Sequence, residues 1–560
     1  MTTVKRALVE TLLECGADTA FTLPGLGVTW MLDEFYERKD KVRVVLTRSE
    51  QIASVMAQVY GKLTGKPGVL MGQGPWISTT GGFGILEGYF SGSPMVVLTE
   101  TSCYDGFGQY GVYQSMTGDY GAADVRSVLR TMTKFVTYAT EPEEAVFGLQ
   151  MAYKHASLPR QGPAAVVLKT PIIRREIPEN LRARLFPSRG YLASTSPCPD
   201  PGAVATIAKW IAEARAPVII AGAGLQNVRG RMLLARVANR AGIAVATSYN
   251  GKGVIDETSS ISVGMLGTWG AKSANSAVAA ADLILVLGAS LGPDYTGFRD
   301  PELIRPGKQR IAQVDVDPRN AGWVVPVDLA MTADAADVLA ALEPLDLGVS
   351  RRAERQDAIT VRNAATGFGI LPAMRATSGT LHFADIVGAL DKFLCADDML
   401  TLDAGSNRIW VTNTLRVRTP GQLVVPGGIG GMGWGLPAAA ATKLVHPEKN
   451  VVSLIGDGGM AMTMPTLATC VQEQLPITVV VANNDGLGMV RDNQKGKAFA
   501  SGFSHIDFAH VAEGMGCRGI RVDRKDALLD AMMEARTHAC PTVIDVAVDP
   551  AASHVPASNY

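Results

Sequence analysis

Short apolar runs return along this chain at intervals filled by helix-length amphipathic stretches, and that rhythm leaves few folds open. In the first third the runs are 42–46, 68–71, 95–99 and 164–168, with helical patterns at 50–63 and 143–156 between them. The runs are apolar throughout rather than alternating. Both faces of their sheet are therefore covered, which is the habit of parallel strands. A chain of 560 residues exceeds one hydrophobic core and predicts three or four domains.

A Pro-, Ser- and Arg-rich stretch, 177–202, breaks the rhythm and reads as a linker. A second block opens with a helix at 203–214 and a strand at 217–221 followed by Gly222-Ala-Gly224. It continues through strands at 281–287 and 310–316 to about residue 345, and a charged segment, 351–357, follows without a strand pattern. The third block carries strands at 399–402, 451–455, 477–482 and 542–548, then a tail, 551–560. The expectation is an α/β chain of three doubly wound parallel-sheet domains, over 1–180, 200–345 and 379–550.

The 52 basic and 53 acidic side chains leave a net charge of −1, which gives no reason to expect nucleic acid or an anionic membrane as partner. No window reaches the roughly 18 apolar residues of a membrane span. Residues 1–8 lack the apolar core of a signal peptide. The seven cysteines are scattered without a Cys-x-x-Cys pair, as reduced thiols in a cytoplasm would be.

Chemistry concentrates at Gly456-Asp457-Gly458-Gly459 and at Asn483-Asn484-Asp485-Gly486, with 24 residues separating Gly458 from Asn483. Each half follows an apolar strand, at the strand's carboxyl end, where open α/β sheets place ligands. Glycines beside Asp457 let the backbone approach a phosphate, and a helix beginning near Thr463 would point its N-terminus at it. Asp457 and Asn484 are hard oxygen ligands, and a carbonyl of the Asp485–Gly486 turn adds a third. Mg²⁺ takes about six oxygens, commonly including phosphates and waters. A lone Gly-Asp-Gly arises readily by chance in a chain with 59 glycines, so the signal lies in the pairing.

This constellation resembles the cofactor motif of the thiamine-diphosphate superfamily that includes acetolactate synthase, pyruvate decarboxylase and benzaldehyde lyase. Three further segments carry the resemblance: Gly427 to Pro437, Thr47-Arg-Ser-Glu50-Gln with Thr64-Gly-Lys-Pro-Gly68, and Pro24-Gly25-Leu-Gly27. It implies pyrimidine-binding, central and diphosphate-binding domains, with Mg²⁺ held by Asp457, Asn484 and the Gly486 carbonyl. Gly25, Gly430, Gly456, Gly458, Gly459, Leu487, Gly488 and Met489 become cofactor contacts, and Met432 the apolar wedge beneath the cofactor. Glu50 becomes the carboxylate on the aminopyrimidine, helping it take the proton from the thiazolium ring. That ring is the electron sink for an acyl carbanion. By resemblance the active site lies between subunits of a homodimer or homotetramer. Without it, Glu50 is an acidic first-turn residue facing a helix dipole, and Met432 a core methionine.

The departures bear on substrate. All seven histidines lie at 155 or later, so the His-His pair that pyruvate decarboxylases carry near 104–120 is missing. Tyr120-Gly-Ala stands where acetohydroxyacid synthases carry Phe-Gln-Glu, Asn493 where they carry a tryptophan, and 291–297 lacks their arginine. Those losses, with only Gly222-Ala-Gly224 in the central block, weigh against FAD there, and a domain that binds nothing or one that binds another nucleotide fits equally well. Gln73, Gln114 and Tyr120, with Trp76 and Tyr113, are the polar and aromatic candidates for the pocket. Amides and phenols orient a carbonyl without delivering protons quickly. The resulting expectation is a carboligase or lyase acting on 2-oxo acids or acyloins. A plain 2-oxo acid decarboxylase, an idle subunit that kept the fold, and a nicotinamide dehydrogenase are the competing readings.

Overall fold

A computed structural model describes residues 2–101, 116–118, 121–182, 185–194, 197–374, 376, 379–495 and 497–557. Three six-stranded sheets carry the chain, and every strand pairing within them is parallel.

The first sheet runs Arg43–Leu46, Thr19–Thr22, Gly68–Gln73, Met95–Thr101, Pro163–Lys169, Phe135–Ala139. The third runs Leu423–Val424, Asp398–Leu402, Asn450–Gly456, Thr478–Asn483, Thr542–Ala547, Arg518–Val522. Numbered within each domain, both follow the order 2-1-3-4-6-5. Each therefore has its topological switch point between its first and third strands, where a crevice opens at the carboxyl ends. The middle sheet follows another order, Ser262–Met265, Ala244–Thr247, Pro217–Ala221, Leu283–Leu287, Arg310–Asp315, Leu329–Thr332, which is 3-2-1-4-5-6 and is shared with dinucleotide-binding folds.

Burial explains which runs became strands. Every residue of Met95–Thr101 and of Thr478–Asn483 is buried, as central parallel strands require. The linker expected at 177–202 is more ordered than its composition suggests. Glu176–Ile177 pairs with Thr2–Thr3, and Ser188 donates to Glu14 from a buried position. The charged segment at 351–357 falls mostly in helix Arg352–Thr366, where Arg355 is buried and caps the carbonyls of Ala241, Leu347, Ile211 and Ala214. A charge-rich run can still build a helix when one cation satisfies the exposed carbonyl ends of others.

The first and third domains share one apolar core, containing Ile52, Met56 and Leu70 from one and Trp434, Leu436 and Ile455 from the other. Helix Glu50–Thr64 lies on helix Gly435–Val445, whose run of alanines permits close approach. The middle domain is pinned to the third by a buried ion pair. Lys252 Nζ reaches Glu257 Oε2 at 2.7 Å and the Leu415 carbonyl at 3.1 Å. Glu257 Oε2 also accepts the Val417 N–H at 2.9 Å. The side chains are 3% and 1% exposed, so neither charge has water to fall back on.

Removing one partner leaves the other charge buried and unpaired. Glu257→Ala is expected to cost about 3–5 kcal/mol, read as a drop in the urea midpoint, while the double replacement Lys252→Met with Glu257→Leu recovers most of it.

Candidate active site

The Gly-Asp-Gly half of the site begins where strand Asn450–Gly456 ends. Helix Asp457–Thr463 starts on the next residue, six positions before the expected start near Thr463, and stops ahead of Pro465. Asp457 Oδ1 accepts the Gly458 N–H at 2.8 Å and its Oδ2 the Gly486 N–H at 2.7 Å. One carboxylate thus ties together the two strand ends. Beyond Asn484 the chain reverses sharply, with Asp485 at φ +51° and Gly486 at φ +156°. Burial pushes the Asp457 carboxyl up to about 6 against the pull of those N–H groups.

Three features meet around this turn. Asn484 Nδ2 and Ser406 Oγ are buried without a hydrogen-bond partner. They lie 3.0 and 2.9 Å from the point where a Cβ on Gly488 would sit, so both border the same spot. A Cβ on Gly458 would stand 2.6 Å from Met432 Cε and 3.5 Å from Leu487 Cδ2, which places the methionine tip over the glycine loop. Gly459 is held against Asp403, whose Oδ2 would be 2.0 Å from a Cβ there. Gly430 has φ +63° and lies two residues before Met432. Met489 packs on the core of the third domain.

The donor set fits the implied cofactor and metal. A buried carboxylate, an amide oxygen and a turn carbonyl are what Mg²⁺ takes from a protein when phosphates complete its shell. The unpartnered Asn484 Nδ2 and Ser406 Oγ are donors in want of acceptors, and a Cβ on Gly456 would meet no atom within 4 Å, which leaves open space at the strand end.

The other half lies at the carboxyl end of the first sheet. Gly25 precedes the short helix Leu26–Thr29, and the Gln73 amide covers it so closely that a Cβ would be 2.0 Å from Gln73 Cδ. Glu50 opens helix Glu50–Thr64 behind Ser49, whose hydroxyl accepts the Ile52 N–H at 3.2 Å. Its carboxylate is buried. Gly25, Glu50 and Gln73 are thus all at the strand ends of one sheet. Gln114 and Tyr120, like Tyr113, lie outside the described residues. Trp76 is exposed. Of the C-terminal histidines, His505 meets Asp485 at 2.8 Å, His554 is buried against Asp492, and His510 is exposed.

Sequence reasoning passed over three site residues. Asp403 follows strand Asp398–Leu402 and is wholly buried, accepting the N–H groups of Gly433, Trp434 and Gly435 at 3.0, 3.0 and 3.2 Å. Its carboxyl is pushed up to about 6 by that burial. Ser406 begins the helix Ser406–Thr414 after Gly405 at φ +113°. Glu100, buried at the end of strand Met95–Thr101, accepts the Gly27 N–H at 3.2 Å. The available signal was Leu402-Asp-Ala-Gly405-Ser406, which repeats the strand–Asp–Gly order of 456–459. In the middle domain, Gly222 packs on Gly288, where a Cβ would be 2.0 Å from the Gly288 carbonyl oxygen. Close packing accounts for that glycine turn.

Comparison with known proteins identifies the family of these three domains. Residues 2–122 match the N-terminal TPP binding domain of thiamine pyrophosphate enzymes, 204–342 their central domain and 403–546 their C-terminal TPP binding domain. The chain belongs to the thiamine pyrophosphate enzyme family. Among its relatives are the mitochondrial acetolactate synthase catalytic subunit of Saccharomyces cerevisiae and the acetolactate synthase large subunit of Corynebacterium glutamicum. The first is 30% identical over 95% of this chain and 78% of its own length, and the second 29% over 97% and 86%. A putative thiamine pyrophosphate-containing protein of Bacillus subtilis is 26% identical over 98% of this chain and 92% of its own length. The chain is therefore a thiamine-diphosphate-dependent enzyme, similar to acetolactate synthases, that forms carbon–carbon bonds.

Asp457→Ala is expected to abolish Mg²⁺-dependent binding of thiamine diphosphate, measured calorimetrically. Ser406→Ala, which removes one neutral donor, should weaken binding about 3- to 10-fold, corresponding to about 0.5–1.5 kcal/mol.

Proposed function

We propose that this enzyme decarboxylates or cleaves a small acyl donor, a 2-oxo acid or an acyloin, and passes the acyl group to a second carbonyl compound. Asp457, Asn484 and the Gly486 carbonyl hold Mg²⁺, and Ser406, Gly458 and Leu487 border the diphosphate. Met432 supports the cofactor from below, with Glu50 on its pyrimidine and Gln73 facing the substrate. When bound, the cofactor supplies the electron sink that the protein's own side chains lack. Glu50 keeps a proton on the pyrimidine, Asp457 neutralises metal charge, and Gln73 orients a carbonyl by hydrogen bonding. The acetolactate synthase relatives favour an acetolactate-type product.

The active site, in this reading, joins two copies of the chain, and one observation carries that. Gln58 accepts the Trp434 indole N–H at 3.0 Å and Lys62 donates to the Val425 carbonyl at 2.6 Å. The helix therefore touches its own chain's Met432 segment eight and twelve residues beyond Glu50. At 1.5 Å per residue, those contacts lie about 12 and 18 Å from the Glu50 end. Glu50 is better placed to serve a cofactor held by another copy. Exposed apolar side chains beside both halves, Leu26 and Trp76 on one and Met462, Val490 and Phe503 on the other, support burial by a second subunit in a homodimer or homotetramer.

A plain decarboxylase is the second reading, favoured only by His505, a titratable group beside the metal turn. No described helix is long and apolar enough to cross a membrane. Among the described residues six cysteines are free and dispersed, which supports a reducing compartment such as the cytoplasm.

Three measurements test this. Supplied with Mg²⁺, the cofactor, 2-oxo acids and an aldehyde acceptor, the enzyme should yield acyloin or acetolactate-type products; free aldehyde alone would transfer the assignment to decarboxylase. Glu50→Gln should keep cofactor affinity and lose about 10²- to 10⁴-fold in turnover. Mixing the inactive Glu50→Gln and Asp457→Ala chains under subunit exchange should restore roughly a quarter of wild-type activity, since statistical pairing makes half the dimers mixed and each has one intact site. No restored activity would place both residues in a single-chain site.

A further inference from the structure

The segment carrying Met432 hangs from all three domains. From the first come the Lys62 contact with the Val425 carbonyl, the Gln58 contact with Trp434, and Glu87. From the middle domain Asn250 Nδ2 donates to the Gly427 carbonyl at 2.7 Å. From the third, Asp403 gathers the N–H groups of residues 433–435.

Glu87 has no place in the cofactor chemistry described so far, yet it is the most unusual of these groups. It is a lone carboxylate in an apolar helix, Gly82–Ser91, and is fully buried. Its Oε1 accepts the Gly428 N–H at 2.6 Å, and its Oε2 accepts those of Ile429 at 2.8 Å and Gly430 at 3.2 Å. Three successive N–H groups thus converge on one carboxylate, as in a concave anion nest, and Gly430 at φ +63° turns the chain that follows. Here the nest is filled by the protein's own carboxylate. One turn earlier on the same helix, Phe83 lies against Gly431, where a Cβ would be 2.3 Å from Phe83 Cε2.

Met432 therefore stands between two carboxylate-held triplets, 428–430 on Glu87 and 433–435 on Asp403, with only Gly431 beside it in the gap. Asp403 belongs to Met432's own domain. Glu87 does not, so it couples the docking of the first domain to the backbone just before the wedge.

We infer that Glu87 is a positioning residue that sets the height of Met432 beneath the cofactor by holding the N–H groups of 428–430. This rests on the wedge role proposed for Met432. Glu87→Gln keeps the shape but presents an amide NH₂ to backbone donors, so part of the nest opens and the wedge shifts. The metal and diphosphate ligands are on other loops and stay in place.

The test compares wild type, Glu87→Gln and Glu87→Asp in the Mg²⁺-loaded enzyme for turnover, substrate KM, calorimetric cofactor affinity and thermal midpoint. Glu87→Gln should lose about 100-fold in kcat, since a displacement of about 1 Å has that effect on a reacting geometry, while cofactor Kd changes less than about 10-fold and KM little. Glu87→Asp, which retains the charge, should regain part of kcat. Wild-type kcat in Glu87→Gln would overturn the inference. So would a kcat loss that follows the folded fraction, or one that the Asp variant does not relieve. Should the Gln variant not fold, Glu87→Asp should itself show the split between kcat and cofactor Kd, and its absence rejects the role. Failure of wild type to bind thiamine diphosphate would instead remove the parent reading.

Discussion

The packing of helix Glu50–Thr64 on helix Gly435–Val445 is the contact on which the remaining geometry depends. It merges the first and third domains into one apolar core, and burial of that area is the main force holding them together. The docked helix is 15 residues long, and its two ends serve different places. Gln58 and Lys62 fasten the chain's own wedge segment while Glu50 is carried away from it. A separation of half-sites is thus built into the hydrophobic core, and the proposed two-chain active site follows from helix rise as much as from any polar contact.

Buried carboxylates organise the backbone around the site. Asp403, Asp457 and Glu87 each collect two or three N–H groups from glycine-rich loops, and Asp545 holds Asn483 and the Phe508 N–H just behind the metal turn. Desolvating a carboxylate is costly, and charge-assisted hydrogen bonds offset that only when donors converge. Glycine lets them converge. The rise of Asp403 and Asp457 to about 6 marks where the offset is incomplete, and at Asp457 a divalent cation would complete it. The same logic governs Lys252 and Glu257 at the seam of the middle domain, where the pair is closed and no site results.

The middle domain has a dinucleotide-type strand order without a sequence that advertises a nucleotide. Its glycine turn is explained by Gly222 resting on Gly288, a backbone contact at the switch point between adjacent strands. Strand order follows from chain connectivity and hydrophobic burial, whereas binding requires side chains aimed at a ligand, so the first does not carry the second.

Apolar runs and paired motifs were enough to place the strands that flank the site, because a parallel strand buried on both faces must be apolar along its length and a metal turn needs its oxygens at strand ends. Edge strands such as Leu329–Thr332 and Arg518–Val522, half exposed and mixed in composition, gave no such signal. Nor did helix Arg352–Thr366, whose buried Arg355 bonds carbonyls over a hundred residues away. The sequence by itself determined the fold class, the family and the identity of the metal ligands proposed here, since these depend on local order and spacing. Only the tertiary structure decided that Glu87 reaches the N–H groups of 428–430 and that Gln58 and Lys62 hold the chain's own wedge segment. Those relations join residues far apart in sequence, and the docking of separate cores, which no local pattern encodes, creates them.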